Sequence, residues 1–148
     1  MTDERFPGYR DHLEAGYAGQ IAESGQMSWE DAVEKASEDT GRLLPKGVAT
    51  PDNYLFTAVD GDTEVGLVWI NLVTKSDGIH GFVYDIEVHE TARRQGYGRA
   101  IMLAAEQVAR EHGASSMRLN VFGYNVAARR LYEEIGYETT SMQMLKRF

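Results

Sequence analysis

Cysteine is absent from this 148-residue chain, and proline occurs only three times. The first absence excludes a disulfide framework, a thiolate metal site and a cysteine nucleophile. No apolar run approaches the roughly 20 residues that cross a bilayer. Basic residues are the scarcer charge, 15 Lys and Arg against 23 Asp and Glu, giving a formal net charge of -8. Binding nucleic acid or an anionic membrane calls for a basic excess, so neither partner is expected. The acidic balance suits a cationic small substrate, and it equally serves solubility alone. The opening Met1-Thr2-Asp3-Glu4-Arg5-Phe6-Pro7 lacks the charged-then-apolar order of a signal peptide, so a cytoplasmic protein is expected. The length fits one domain, residues 1–148, around one core.

Two helical patterns come first. Pro7 suits the first turn of a helix, and Tyr9, Leu13, Tyr17 and Ile21 follow at helical spacing until Ser24-Gly25. Ser28 with Asp31 forms a variant capping arrangement for a second helix, whose face carries Trp29, Val33, Ala36, Thr40 and Leu43. Leu44-Pro45-Lys46-Gly47 stops it. Core packing accounts for these aromatics, and Tyr9, Tyr17 and Trp29 could also wall a substrate pocket. After Pro51 the period becomes strand-like: Tyr54–Val59, a turn at Asp60-Gly61-Asp62, Val65–Ile70, a turn at Lys75–Gly78, and Ile79–Val88, an antiparallel meander. A helix from Arg99, with Ile101, Ala105 and Val108 inward, ends at Gly113. Met117, Leu119 and Val121 mark a strand. Asn125 caps a helix with Ala128, Leu131 and Ile135 inward, Gly136 ends it, and Glu138–Leu145 completes a last strand. The fold class is α+β, or mixed α/β: a helix pair, a meander, then strand-helix-strand-helix-strand around a central mixed sheet.

Arg93-Arg94-Gln95-Gly96-Tyr97-Gly98-Arg99-Ala100 lies between the third strand and the helix that follows. Glycines at such a turn let backbone approach a ligand, and the first amides of a helix lack partners within it. With the helix dipole and three arginines, this makes a seat for a diphosphate. A dinucleotide fingerprint wants a third glycine where Ile101 stands, and a nucleotide-triphosphate loop wants Gly-Lys-Ser/Thr, which Gly98-Arg99-Ala100 does not supply.

Arg93 to Gly98 matches the Arg/Gln-x-x-Gly-x-Gly/Ala signature of the GNAT N-acetyltransferases. Asn125 to Tyr137 resembles that family's second signature, Asn-x-x-Ala-x-x-Leu-Tyr-x-x-x-Gly-Phe/Tyr. The chain is also similar to small bacterial members with a Leu-Leu-Pro-x-Gly segment, here Leu43–Gly47. The resemblance implies acetyl-CoA as co-substrate, its diphosphate on the amides of Gln95–Ala100, and its pantetheine arm paired along Ile86-Glu87-Val88 beside a bulge. It implies an oxyanion-binding amide at Val88, contacts from Asn125 and Ala128, and Tyr132 as the acid that protonates the departing thiolate. Taken alone, Asn125 is equally a plain helix cap and Tyr132 a packing residue.

Direct attack of a neutral amine on a thioester needs no protein nucleophile, but it needs a route for the ammonium proton. Glu87 and Asp85 share one strand face, and Glu87 is the first candidate base, with Asp85 or a water chain as alternatives. Asn120 stands where the branch acting on ribosomal-protein N-termini has a glutamate, which separates the chain from that branch. His12, His80, His89 and His112 lack metal-ligand spacing and suit surface or loop roles, so no metal is expected. Arg129-Arg130 and Glu133-Glu134 fit a solvated helix face, and Arg118 an exposed strand position. The expected activity is acetyl transfer from acetyl-CoA to a primary amine of a small molecule or peptide. The alternative is a non-catalytic acyl-CoA-binding sensor or interaction module. A homodimer is consistent with the family.

Overall fold

A computed structural model describes all 148 residues. Helix α1, Phe6–Glu23, carries Pro7 in its first turn and gives way at Gly25, whose φ of 74° is costly for any residue with a Cβ. Helix α2, Trp29–Leu43, is capped by Ser28 Oγ, which accepts the Asp31 amide at 3.2 Å. The two helices meet through small residues: Ala18 and Ile21 pack on Ala32 and Ala36, all fully buried. The buried stripe of α2 is therefore Ala32-Ala36-Thr40 rather than the stripe expected from Trp29 and Val33. Close approach of two helices selects alanine, which leaves Trp29 at 52% and Val33 at 43% exposure.

Strands β1 (Asn53–Asp60), β2 (Thr63–Lys75), β3 (Gly78–Val88) and β4 (Ala114–Leu119) form one sheet in that order. The first two pairings are antiparallel and β3–β4 is parallel. Val65 through Ile70 of β2 are all buried, as a central strand covered on both faces requires. Below the sheet, Val68, Ile70, Leu72 and Val83 pack on Ile101, Met102, Ala105 and Ala109 of helix α3, Tyr97–Glu111. Above it, Leu67 and Trp69 pack on Tyr9, Leu44 and Leu55. The β2–β3 register slips where Trp69 faces Asp85 and Ile70 faces Val83, leaving Tyr84 as the extra residue of a bulge.

Helix α4, Val126–Glu134, is capped by Asn125 Oδ1, which accepts the Ala128 amide at 3.2 Å. None of its residues is fully buried. The last strand expected over Glu138–Leu145 does not form. The final backbone hydrogen bond of the chain runs from Tyr137 N–H to the Tyr132 carbonyl, at 2.9 Å. Beyond it the tail has neither turn nor bend. A strand exists only as one side of a ladder, and this tail has no neighbouring strand in its own chain to pair with. Val121 likewise lies past the end of β4.

Candidate active site

The turn from β3 to α3 is built by two backbone inversions. Arg94 has φ 62° and Gly96, the N-cap of α3, has φ 85°. Helix α3 begins at Tyr97, two residues earlier than expected, so Tyr97–Ala100 form its first turn. The Ala100 amide reaches the Gly96 carbonyl at 3.2 Å, whereas those of Tyr97, Gly98 and Arg99 have no intrahelical partner. The two glycines do different work. Gly96 supplies the positive φ, and Gly98 makes room: a Cβ there would lie 3.3 Å from Leu131 Cδ2 and 3.7 Å from Val88 Cγ2. Arg93, Arg94 and Arg99 are exposed and none is in an ion pair, so their charge is available at the helix N-terminus. Gln95 Nε2 donates to the Thr91 carbonyl at 3.4 Å. The Tyr97 hydroxyl donates to Asp60 at 2.6 Å, which ties this turn to the end of β1.

One strand away lies an unpaired backbone edge. The His89 amide donates across to the Val65 carbonyl of β2 at 2.9 Å. Alternation along an antiparallel strand turns the amides of Val88 and Ile86 the other way, toward β4. On that side the β3–β4 ladder stops at Val83–Leu119. Ile86 and Val88 thus present their amides to an open splay. The Val88 carbonyl, on the same side, accepts from Arg93 Nε at 3.3 Å. Extended amides with no strand partner, close to a helix N-terminus with spare cations, fit an extended amide-bearing arm that ends in a diphosphate, which is the make-up of a coenzyme A thioester.

Asp85 and Glu87 do share one face, and that face meets α1. Tyr9 donates its hydroxyl to Asp85 at 3.1 Å, and His12 Nε2 lies 2.6 Å from Glu87 Oε2. Burial raises the Asp85 carboxyl above the ordinary aspartate range, and the neighbouring charge of Glu87 adds to the rise. The Tyr9 bond and His12 oppose it. Tyr132 is half-buried, and its phenol is raised first by burial and then by the negative charge of Asp85. Its ring packs against the lower core, as do Ile86 and Val88, and meets Tyr137 edge-on at 5.9 Å. Packing and proximity to the splay hold together in one side chain.

These groups border a single cavity of about 1960 Å³, lined among others by Tyr17, Tyr84, Asp85, Glu87 and Tyr132. Tyr17 walls it as expected. Tyr9 instead sits beneath Asp85, and Trp29 is not among the lining residues. Ala128 is half-buried on α4, with its amide taken by Asn125. His12 is exposed, as its lack of metal-ligand spacing suggests, and it is also the partner of Glu87. The sequence shows the carboxylates as alternating residues 85 and 87, and Tyr9 and His12 as one helical turn. Nothing local in it signals that the two pairs meet. The other histidines clip surface structure, as His80 does between Asp77 at 2.9 Å and Ser116 at 2.7 Å. No group of three or more His, Asp and Glu is arranged to hold a metal ion, and no helix is long and apolar enough to cross a membrane.

The chain thus combines a bulged, splayed mixed sheet with a glycine turn at the base of the splay. The chain belongs to the acetyltransferase (GNAT) family, whose model matches residues 20–137. It is 31% identical over 148 residues to the uncharacterized N-acetyltransferase YycN of Bacillus subtilis strain 168, covering 99% of this chain and 95% of that one. It is 27% identical over 147 residues to a second such protein of that strain, YdgE, covering 99% and 94%. The crystal structure of YycN superposes with a TM-score of 0.92 at 30% identity, over 100% of this chain and 95% of that one.

Proposed function

We propose that this acetyltransferase moves an acetyl group from acetyl-CoA directly to a primary amine of a small molecule or peptide while both are bound. The observation that carries the reading is the strand edge from Ile86 to Val88, left without a strand partner beyond Val83–Leu119, with Tyr132 packed on the lower core and Asp85 on the face that meets α1. Acetyl-CoA, when bound, supplies an activated thioester. The free amides of Tyr97–Arg99 and the side chains of Arg93, Arg94 and Arg99 hold its diphosphate. The backbone from Ile86 through Val88 holds the pantetheine arm, with Asn125 and Ala128 on its far side.

At the reacting carbon the amine forms the new C–N bond and the C–S bond breaks. The Val88 amide is placed to donate to the carbonyl oxygen as it gains negative charge, a kind of contact whose removal elsewhere costs about 2.7–4 kcal/mol. Tyr132, like any phenol, keeps its proton through the neutral range, and burial and the charge of Asp85 hold that proton more firmly. A phenol is a weaker acid than a thiol, so Tyr132 first hydrogen-bonds the departing sulfur and releases its proton as charge builds there. The ammonium loses two protons: the first passes to the acidic face before attack, and the second, shed as the amide forms, restores the Tyr132 phenol. Asp85 is the inner acceptor because it faces Tyr132 electrostatically, and Glu87, already held by His12, is the outer one.

The test is thiol release from acetyl-CoA with a panel of polyamines, amino acids, aminoglycosides and peptide N-termini. Release with any one of them, with matching acetylated product by mass spectrometry, supports the reading. Tight acetyl-CoA binding with no release across the panel would instead support a non-catalytic acyl-CoA-binding module.

A further inference from the structure

Two cavities meet at the acidic face. Beside the large one lies a second, of about 510 Å³, lined among others by Gly8, Tyr9, His12, Glu64, Glu87 and His89. His12 and Glu87 border both cavities, whereas Asp85 borders the large one alone and Tyr9 the small one alone. The partition between them is therefore a pair of cross-links from α1 to β3. One is the Tyr9 hydroxyl on Asp85 at 3.1 Å, and the other is His12 Nε2 beside Glu87 Oε2 at 2.6 Å.

The cross-links differ in what they can carry. Tyr9 has one proton, donated to Asp85, and burial and the charge of Asp85 hold it in place. An imidazole has two nitrogens, and it can take a proton on one and give one up from the other near neutral pH. Nε2 of His12 faces Glu87, its Nδ1 makes no hydrogen bond within the protein, and the side chain is 63% exposed. The helix keeps both approaches to this ring clear. Gly8 and Gly16 stand one turn to either side on the same face, Gly8 on the small cavity and Gly16 on the large one. Glycine inside a helix is destabilising, and a Cβ at either position would meet no atom within 4 Å, so packing does not demand it there.

Substrates that fill the large cavity displace its water, so a proton held by Asp85 and Glu87 needs another way out. We propose, resting on the transfer reading above, that His12 carries this proton from Glu87 into the small cavity. Nε2 takes the proton from the Glu87 carboxyl, and the imidazolium so formed releases its other N–H proton, from Nδ1, to water on the far side. Glu87 returns to carboxylate and His12 to neutral imidazole, and exchange with that water restores the starting tautomer. The receiving cavity is acidic on balance: Glu4, Glu64 and Glu87 line it against Arg5, with His89 at 3.5 Å from Glu64. Such a lining draws a released cation outward.

The test uses the amine of the panel that is acetylated fastest, with the acetylated amine itself read by mass spectrometry so that acetylimidazole is not counted. In His12→Ala, kcat falls by roughly a hundredfold, the low end for a positioned proton-transfer group, while the KM for acetyl-CoA holds. Imidazole added to the buffer restores turnover of this variant along a saturating curve and leaves the natural chain unchanged. His12→Gln keeps a donor for Glu87 but has no second nitrogen to release a proton, so it is as slow as the alanine variant. His12→Gln turning over as fast as the natural chain overturns the relay, because the hydrogen bond alone then suffices. A loss in His12→Ala that imidazole does not restore also overturns it, and leaves His12 a positioning residue for Glu87. Both results leave acetyl transfer standing. No acetylated product from any amine of the panel overturns the transfer reading and the relay with it.

Discussion

The Tyr9 phenol and the Asp85 carboxylate are 76 positions apart and 3.1 Å from each other. Tyr9 is buried under the sheet-facing side of α1, and its own pKa is driven up by that burial and by the negative charge of Asp85. The first helix therefore supplies a neutral side-chain donor that holds the inner carboxylate in place. The bond stabilises the ionised form of Asp85 against burial, which pushes the other way.

Tyr9→Phe removes that support. The Asp85 pKa rises further, so the acid limb of the kcat/KM profile moves to higher pH, and stability falls by about 1 kcal/mol. The acid limb alone should move, and the basic limb should stay where it is. An unmoved limb would separate Tyr9 from the proton path.

Asp85→Asn has two readouts with a definite sign. A carboxylate with a raised folded-state pKa contributes stability below its unfolded pKa and loses it as pH climbs through the folded value. The asparagine keeps an acceptor for Tyr9 and loses that pH dependence. Its melting temperature relative to the natural chain should therefore improve from acid toward neutral pH. Turnover should drop and the acid limb disappear. Glu87→Gln should leave the limb in place if Asp85 is the inner acceptor; a limb abolished by Glu87→Gln alone returns the role of base to Glu87.

Tyr132→Phe keeps the ring and its packing. The expected outcome is a loss of kcat of roughly a hundredfold or more, the range of a positioned acid, with acetyl-CoA affinity nearly unchanged by titration. Turnover equal to that of the natural chain removes the acid role.

Gly96→Ala and Gly98→Ala separate the two kinds of glycine. Alanine at φ 85° costs about 1–2 kcal/mol and tilts the amides of the α3 turn, so coenzyme A binding and melting temperature should both fall. At Gly98 the backbone is ordinary and the Cβ presses on Leu131, so the change should be felt as displacement of α4 from α3. Calorimetric titration with coenzyme A beside thermal melts distinguishes them.

Much of this is legible in the sequence, for identifiable reasons. Alternation gives away β1, β3 and β4, and the paired carboxylates on one face. Capping chemistry marks α2 and α4, and the glycine turn marks the seat. The errors come where the deciding partner is distant. Trp29 and Val33 have the right spacing for a buried face, but only the nearness of α1 shows that alanines must line it. His12 has no local sign of Glu87. Glu138–Leu145 has the residues of a strand, but a strand also needs a ladder partner, and a local pattern does not show whether one comes within reach.

The Tyr97–Asp60 bond has a mechanical consequence. It anchors the base of α3 to β1, the edge of the sheet opposite β4. The diphosphate seat is thus bolted to the well-packed side of the molecule, whereas the splay opens toward the thinly packed side that carries α4. The proposed reaction spends the donor as well as the acceptor at each turnover, so both products have to leave, and the side carrying α4 is where the structure has least packing to open.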